Sequence, residues 1–174
     1  MFKRITTASL AAILIVPSAT MGQTRSRSSR PRPAPKTTSQ PVSSVRTAGA
    51  TRVADQIKAM SLYVYLLGGV NSGIAALDDA ARRNEASPQL IQKNQESKVA
   101  VKNSIQNFRE QLDKLETDFR ATPELQPYYI KLAGSAAGAA TAEEQAAANN
   151  FNGAGRTLVS VINRLTDVLL IMRQ

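Results

Sequence analysis

From Val53 to Met172 the apolar residues recur every three or four positions, and no stretch alternates with period two for long enough to make a strand. A chain patterned this way can bury its apolar side chains only along helical stripes, so the expected fold class is all-α.

The first stripe runs Val53, Ile57, Met60, Val64, Leu67, then Val70, Ile74, Leu77 and Ala81. Its steps of four and three skip one residue at Gly68–Gly69, which predicts a helix of about 32 residues with a kink or overwinding there. Asn84 and Ser87-Pro88 end it. Ser87 then caps a second helix with Pro88 at its first position. Its stripe is Val101, Ile105, Phe108, Leu112, Leu115 and Phe119, continued backward through Ser97, Asn94 and Leu90. On its charged face Glu110–Lys114 and Glu116–Arg120 have the spacing of helical ion pairs.

The third segment begins near Pro123 or Pro127 and carries Leu125, Tyr129, Leu132, Ala136 and Ala139. Its centre, Ala133 to Ala140, is almost all small residues, and Thr141-Ala142-Glu143-Glu144 has capping-box spacing, which predicts a break and restart there. Residues 149–153 are turn-forming by type. Asn149, Phe151, Ala154 and Leu158 resemble the turn of a tetratricopeptide helical hairpin over about ten residues; the pattern does not recur and implies only a helix–turn–helix there. The last helix, about Ala154 to Met172, has the stripe Phe151, Gly155, Leu158, Ile162, Leu165, Leu169 and Met172, and extra apolar neighbours make it the most buried.

Four helices joined by short turns predict an antiparallel up-down-up-down four-helix bundle. The alternative is three long helices plus a short side helix, with 123–139 as the side helix and 141–173 as one long helix.

Catalytic chemistry is sharply restricted by composition. The chain has no Cys and no His, which removes disulfides, thiol nucleophiles, the usual general base and most zinc sites. Asp78-Asp79 and Glu143-Glu144 are neighbours in sequence, so each pair diverges on a helix. Glu110, Asp113 and Glu116 share a flank with interspersed cations and read as solvated surface. No enzyme activity, metal or cofactor is expected.

Charge divides the chain. Residues 1–52 hold nine of the 22 basic groups and no acid; residues 53–174 hold thirteen of each sign. Lys3 and Arg4 precede the apolar run Ala8–Val16 and the small residues up to Gly22, the order of an export signal cleaved after Ala19 or Gly22. That run is too short to cross a bilayer, and no second run looks long enough, so a mature chain without a membrane span is expected, periplasmic or secreted. Residues 23–49 are rich in Arg, Pro and Ser, with Arg25, Arg27, Arg30, Arg32 and Lys36 as candidates for contact with an anionic surface. The plainer reading of this disordered arm is a solvated spacer. The domain plan is therefore signal 1–22, linker 23–49 and bundle 50–174. Given export, nucleic acid is not the expected target.

Gly68, Gly69 and Gly73, and Gly134 and Gly138, weaken the helices that hold them. The expected reason is close helix packing. The alternative is a groove between helices one and three, lined by Gly69, Gly73, Gly134 and Gly138 with Tyr65 and Tyr129 at its wall. The leading functional expectation is an exported, non-enzymatic interaction module of the cell envelope, with a protein or anionic surface as partner. The alternative is a carrier of a small apolar or aromatic ligand in that groove.

Overall fold

The computed structural model describes residues 42–174, with side chains from Ser44. The expected export signal and the arginine cluster lie outside the described residues. Five helices follow one another: α1 (Val42–Arg82), α2 (Pro88–Ala121), α3 (Gln126–Leu132), α4 (Ser135–Ala147) and α5 (Phe151–Met172). Among the described residues there is no strand, and the protein is an all-α helical bundle.

The α1 core positions are Val53, Met60, Leu67 and Ile74, each seven residues from the last and at most 4% exposed. Ile57 and Val64 pack partly buried between them. The heptad runs through Gly68–Gly69 without the expected skip, and α1 is continuous there. Val70, assigned to the stripe by its apolarity, is 42% exposed. Asn71, half-buried beside the core stripe, bonds across to Asn152 at 3.0 Å. The helix also begins at Val42, before the expected boundary at 50. Val45 packs on the core, and Gly49 is buried with the end of Leu125 against it. The last turns of the supposed linker are thus part of the bundle.

α2 begins as its sequence predicts, with Ser87 Oγ accepting from the Leu90 amide at 3.4 Å and Pro88 in the first turn. Its buried stripe continues from Val101 back through Lys98 and Asn94. The two ion pairs expected on its outer face do not form. Glu110 accepts from Gln106 at 3.2 Å, and Glu116 accepts the Ala136 amide at 2.8 Å, satisfying a free N–H at the start of α4.

The break in the third segment falls at Ala133–Gly134, ahead of the expected capping box. Gly134 has φ +90°, a left-handed conformation that disfavours a side chain, and Arg164 of α5 donates to the Ala133 carbonyl beside it at 2.5 Å. Thr141, expected to cap a new helix, lies inside α4 and bonds back to Ala137. Residues 123–150 therefore hold two helices, and the arrangement with one long helix over 141–173 is not observed.

α5 starts at Phe151, earlier than expected, because Asn150 Oδ1 accepts the Gly153 amide at 2.9 Å and Asn149 takes the turn at φ 59°. Val161 and Val168 are fully or nearly fully buried, while Ile162 and Leu169, the predicted stripe residues, are only partly so.

α1 packs on α2 and α5, and the α3–α4 pair packs on α2 and α5. Cross-helix pairs run in opposite order along each neighbour. Arg52 meets Asp118, Gln56 meets Gln111, and Tyr63 meets Val101. Thr157 meets Gln145 and Arg164 meets Ala133 on the opposite side.

Candidate functional site

Two seams run along α1. The inner one faces the core. The outer one, on the opposite side, reads Asp55, Lys58, Leu62, Tyr65, Gly69, Ser72, Ala76, Asp79 and Arg83, again in steps of three and four. Between Lys58 and Asp78 there is no charged residue for nineteen positions. Tyr65 is 80% exposed, Leu62 60%, Leu66 54% and Val70 42%. These four side chains leave roughly 450 Å² of apolar surface open, about as much as the largest patch on an ordinary monomer.

The apolar window of α1 is long and apolar enough to cross a membrane, with mean hydropathy 1.4 and only 17% of it buried. This corrects the expectation that no second run would reach that length: Gly, Ala and Ser interrupt the large apolar residues but add no charge. As folded, α1 cannot span alone, because Met60, Leu67 and Ile74 are held in the core.

A groove borders this face on each side. Toward α2 it has a volume of about 310 Å³ and mostly apolar walls, including Tyr63, Leu66, Val70, Ala100 and Val101. Tyr63 donates to the Val101 carbonyl at 3.1 Å and meets Phe108 edge-on at 5.2 Å. Burial pushes its phenol up to about 12. Toward α5 a smaller groove of about 210 Å³ includes Gly68, Phe151, Gly155 and Val159.

The residues expected to form one groove are not brought together. Around Gly68, Gly69 and Gly73 an added Cβ would meet nothing within 4 Å, so these glycines face outward and serve no helix contact within the described residues. Gly138 behaves oppositely: a Cβ there would lie 2.7 Å from Val161 Cγ2, the close approach of α4 to α5. Gly134 belongs to the α3–α4 turn. Tyr129 packs partly buried on the core, whereas Tyr65 is nearly free. With α1 packed chiefly on α2 and α5, and touching the third segment at Gly49 and Leu125, no Gly-lined groove forms between helix one and the third segment. Arg25, Arg27, Arg30, Arg32 and Lys36 lie outside the described residues.

Sequence reading missed the polar end of the bundle. Lys98, 9% exposed, donates to Asp78 Oδ1 at 2.7 Å, and the buried Asn94 amide donates to the same oxygen at 2.7 Å. Asn94 Oδ1 has no partner. Stepping strictly by four and three from Leu67 and Val101 reaches Asp78 and Lys98, so the signal was position and not residue type. Among the described residues no three His, Cys, Asp or Glu side chains gather as a metal site would require. Glu143 instead pairs with Arg109 at 2.5 Å, and Asp79 with Arg82.

Comparison with protein families, curated proteins and solved structures finds no match for this chain. The functional reading therefore rests on the outer face of α1.

Proposed function

We infer that the chain is an exported, non-enzymatic interaction module of the cell envelope, an up-down-up-down bundle that docks through the outer face of α1. The antiparallel order is supported by the opposed cross-helix pairs, such as Arg52–Asp118 and Tyr63–Val101. The observation that carries the docking role is the uncharged exposed stretch itself. Exposed glycines cost helix stability, and exposed Leu and Tyr lower solubility, so a face that combines them is explained by a partner that covers it. The Arg-rich arm fits the same role as an attachment to an anionic surface.

Replacing Tyr65 by a photo-crosslinking benzoyl-phenylalanine in the native host tests both halves of this reading. The protein is expected in the envelope or the medium, beginning at Thr20 or Gln23, and to yield an adduct on irradiation. A full-length chain confined to the cytoplasm overturns export. Absence of any adduct at position 65 overturns docking.

The carrier reading is supported by a different feature from the one first expected, the α1–α2 groove of about 310 Å³. That volume sits at the lower end for ligand pockets, and the site is an open groove where carriers enclose most of their cargo. Native mass spectrometry of protein purified from its host distinguishes the two, since only a carrier retains a small molecule.

A further inference from the structure

We propose that the partner of the outer α1 face is the same face of a second copy of this chain, packed antiparallel about a two-fold axis near Gly69. This rests on the interaction-module reading and specifies its partner. Three observations carry it.

The first is shape. The outer face is bulky at its N-terminal end, with Leu62, Tyr65 and Leu66, and flat at its C-terminal end, with Gly69, Gly73 and Ala76. An antiparallel copy lays the bulky half of each helix on the flat half of the other. About Gly69, Leu62 faces Ala76, Tyr65 faces Gly73, and Gly69 faces itself. Open space around Gly69 and Gly73 then has a use, because glycines let two helix backbones approach closely.

The second is charge. In the same register Asp55 faces Arg83, and Lys58 comes beside Asp79. Asp55 and Lys58 form no ion pair within the chain among the described residues, while Asp79 and Arg83 hold exposed local pairs with Arg82 and Glu85 that the second copy would share. A parallel pairing instead sets each charge against itself. Two-fold symmetry repeats both favourable contacts, as an isologous interface requires. A membrane offers neither match: the helices from residue 42 to 174 carry fifteen bases against thirteen acids, a small excess that gives the body little attraction for anionic lipid.

The third is area. The four exposed apolar side chains and the flat glycine, alanine and serine surface beside them lie on a seam that spans about seven turns of helix from Lys58 to Arg83, the scale of the ~800 Å² that a specific interface buries on each side. Such an area with one aromatic anchor points to a dissociation constant in the micromolar range.

Sedimentation velocity of the purified chain between about 1 and 100 µM is expected to show a monomer–dimer equilibrium with a dissociation constant of order 10 µM. Leu66→Glu and Gly69→Glu place a charge on the face at positions open to solvent, and each is expected to weaken association at least 30-fold with helix content unchanged. Asp55→Arg is expected to weaken it about fivefold, and Asp55→Arg with Arg83→Asp to restore it to within about twofold. Because the chain has no cysteine, Gly69→Cys is expected to give a disulfide dimer on mild oxidation much faster than Asn107→Cys at an exposed position of α2.

A chain that stays monomeric at 100 µM overturns the proposal. So does failure of the double charge reversal to restore association. Flotation of a monomer with phosphatidylcholine vesicles, lost in Leu66→Glu, assigns the face to lipid instead. A monomer whose position 65 still crosslinks to a different protein overturns the dimer and leaves the interaction-module reading standing.

Discussion

Alanine at Gly68 and Gly73 should stabilise this protein, while alanine at Gly138 should destabilise it, although all three residues sit inside helices. Glycine in a helix interior costs ~1 kcal/mol relative to alanine, mostly through the freedom it regains on unfolding. At Gly68 and Gly73 nothing lies within 4 Å of an added Cβ, so that gain is realised in full. The sites are five residues apart and share no partner, so the double variant should gain about 2 kcal/mol. At Gly138 the added methyl group lies 2.7 Å from Val161 Cγ2, closer than any ordinary contact, so something must shift. Val161 is 4% exposed, β-branched and nearly fixed in rotamer on a helix, so it cannot turn away. Overpacking of this kind costs about 1–3 kcal/mol, which cancels or exceeds the propensity gain. The two kinds of site should therefore differ by about 1–3 kcal/mol. Urea unfolding followed by circular dichroism at low micromolar protein reads this directly. With a slope of about 1.5–2 kcal/mol/M, the midpoint of Gly68→Ala/Gly73→Ala should rise by about 1 M, while that of Gly138→Ala falls or holds. Adding Val161→Ala to Gly138→Ala should show favourable coupling of at least about 0.5 kcal/mol. If Gly68→Ala/Gly73→Ala lowers the midpoint, or Gly138→Ala raises it, the assignment of outward and inward faces on α1 and α4 is wrong.

Removing the Asp78 carboxylate (Asp78→Ala) leaves Lys98 and Asn94 buried without their shared acceptor and should cost about 2–3 kcal/mol, against less than half of that for Lys98→Met, by the same urea assay. Asn150→Ala removes the cap on the Gly153 amide and should cost about 1 kcal/mol, visible as a lower thermal midpoint. Tyr63 has its phenol raised to about 12 in the fold from 10 when unfolded, so its neutral form is favoured in the native state. That contribution is whole below pH 10 and fades as pH rises toward 12, so wild-type stability should fall through this window more steeply than that of Tyr63→Phe. Parallel curves for the two would show that Tyr63 is not desolvated.

The helical class, the four-part layout and the cap at Ser87 are legible because spacing and turn chemistry are local properties. The departures share a physical origin: residue type competes with position, and position wins. Apolarity puts Val70 in the core and leaves Asn71 out, yet the heptad from Leu67 lands on Asn71. Similarly, the alanine neighbours of Gly134 suggest an unbroken helix. The glycine permits a left-handed backbone, but its neighbours do not single it out from Gly138; the Arg164 side chain that donates to the Ala133 carbonyl beside it comes from about thirty residues away in the chain. The expected Gly-lined groove fails for the same reason, since which helices lie beside each other is a non-local fact. Equal apolarity on two sides of α1 hides the outer face, because a helix with two seams has no single polar side to mark what is exposed.

Consider last the alanines of α4. Ala139, Ala142 and Ala146 are fully buried, yet each contributes one methyl group, so this wall of the bundle adheres through little apolar area. Its helix holds by intrinsic preference, and the left-handed turn at Gly134 separates it from α3. The α3–α4 segment is thus the natural door of the bundle: amide hydrogens there should exchange by a partial opening well ahead of those in α2 and α5.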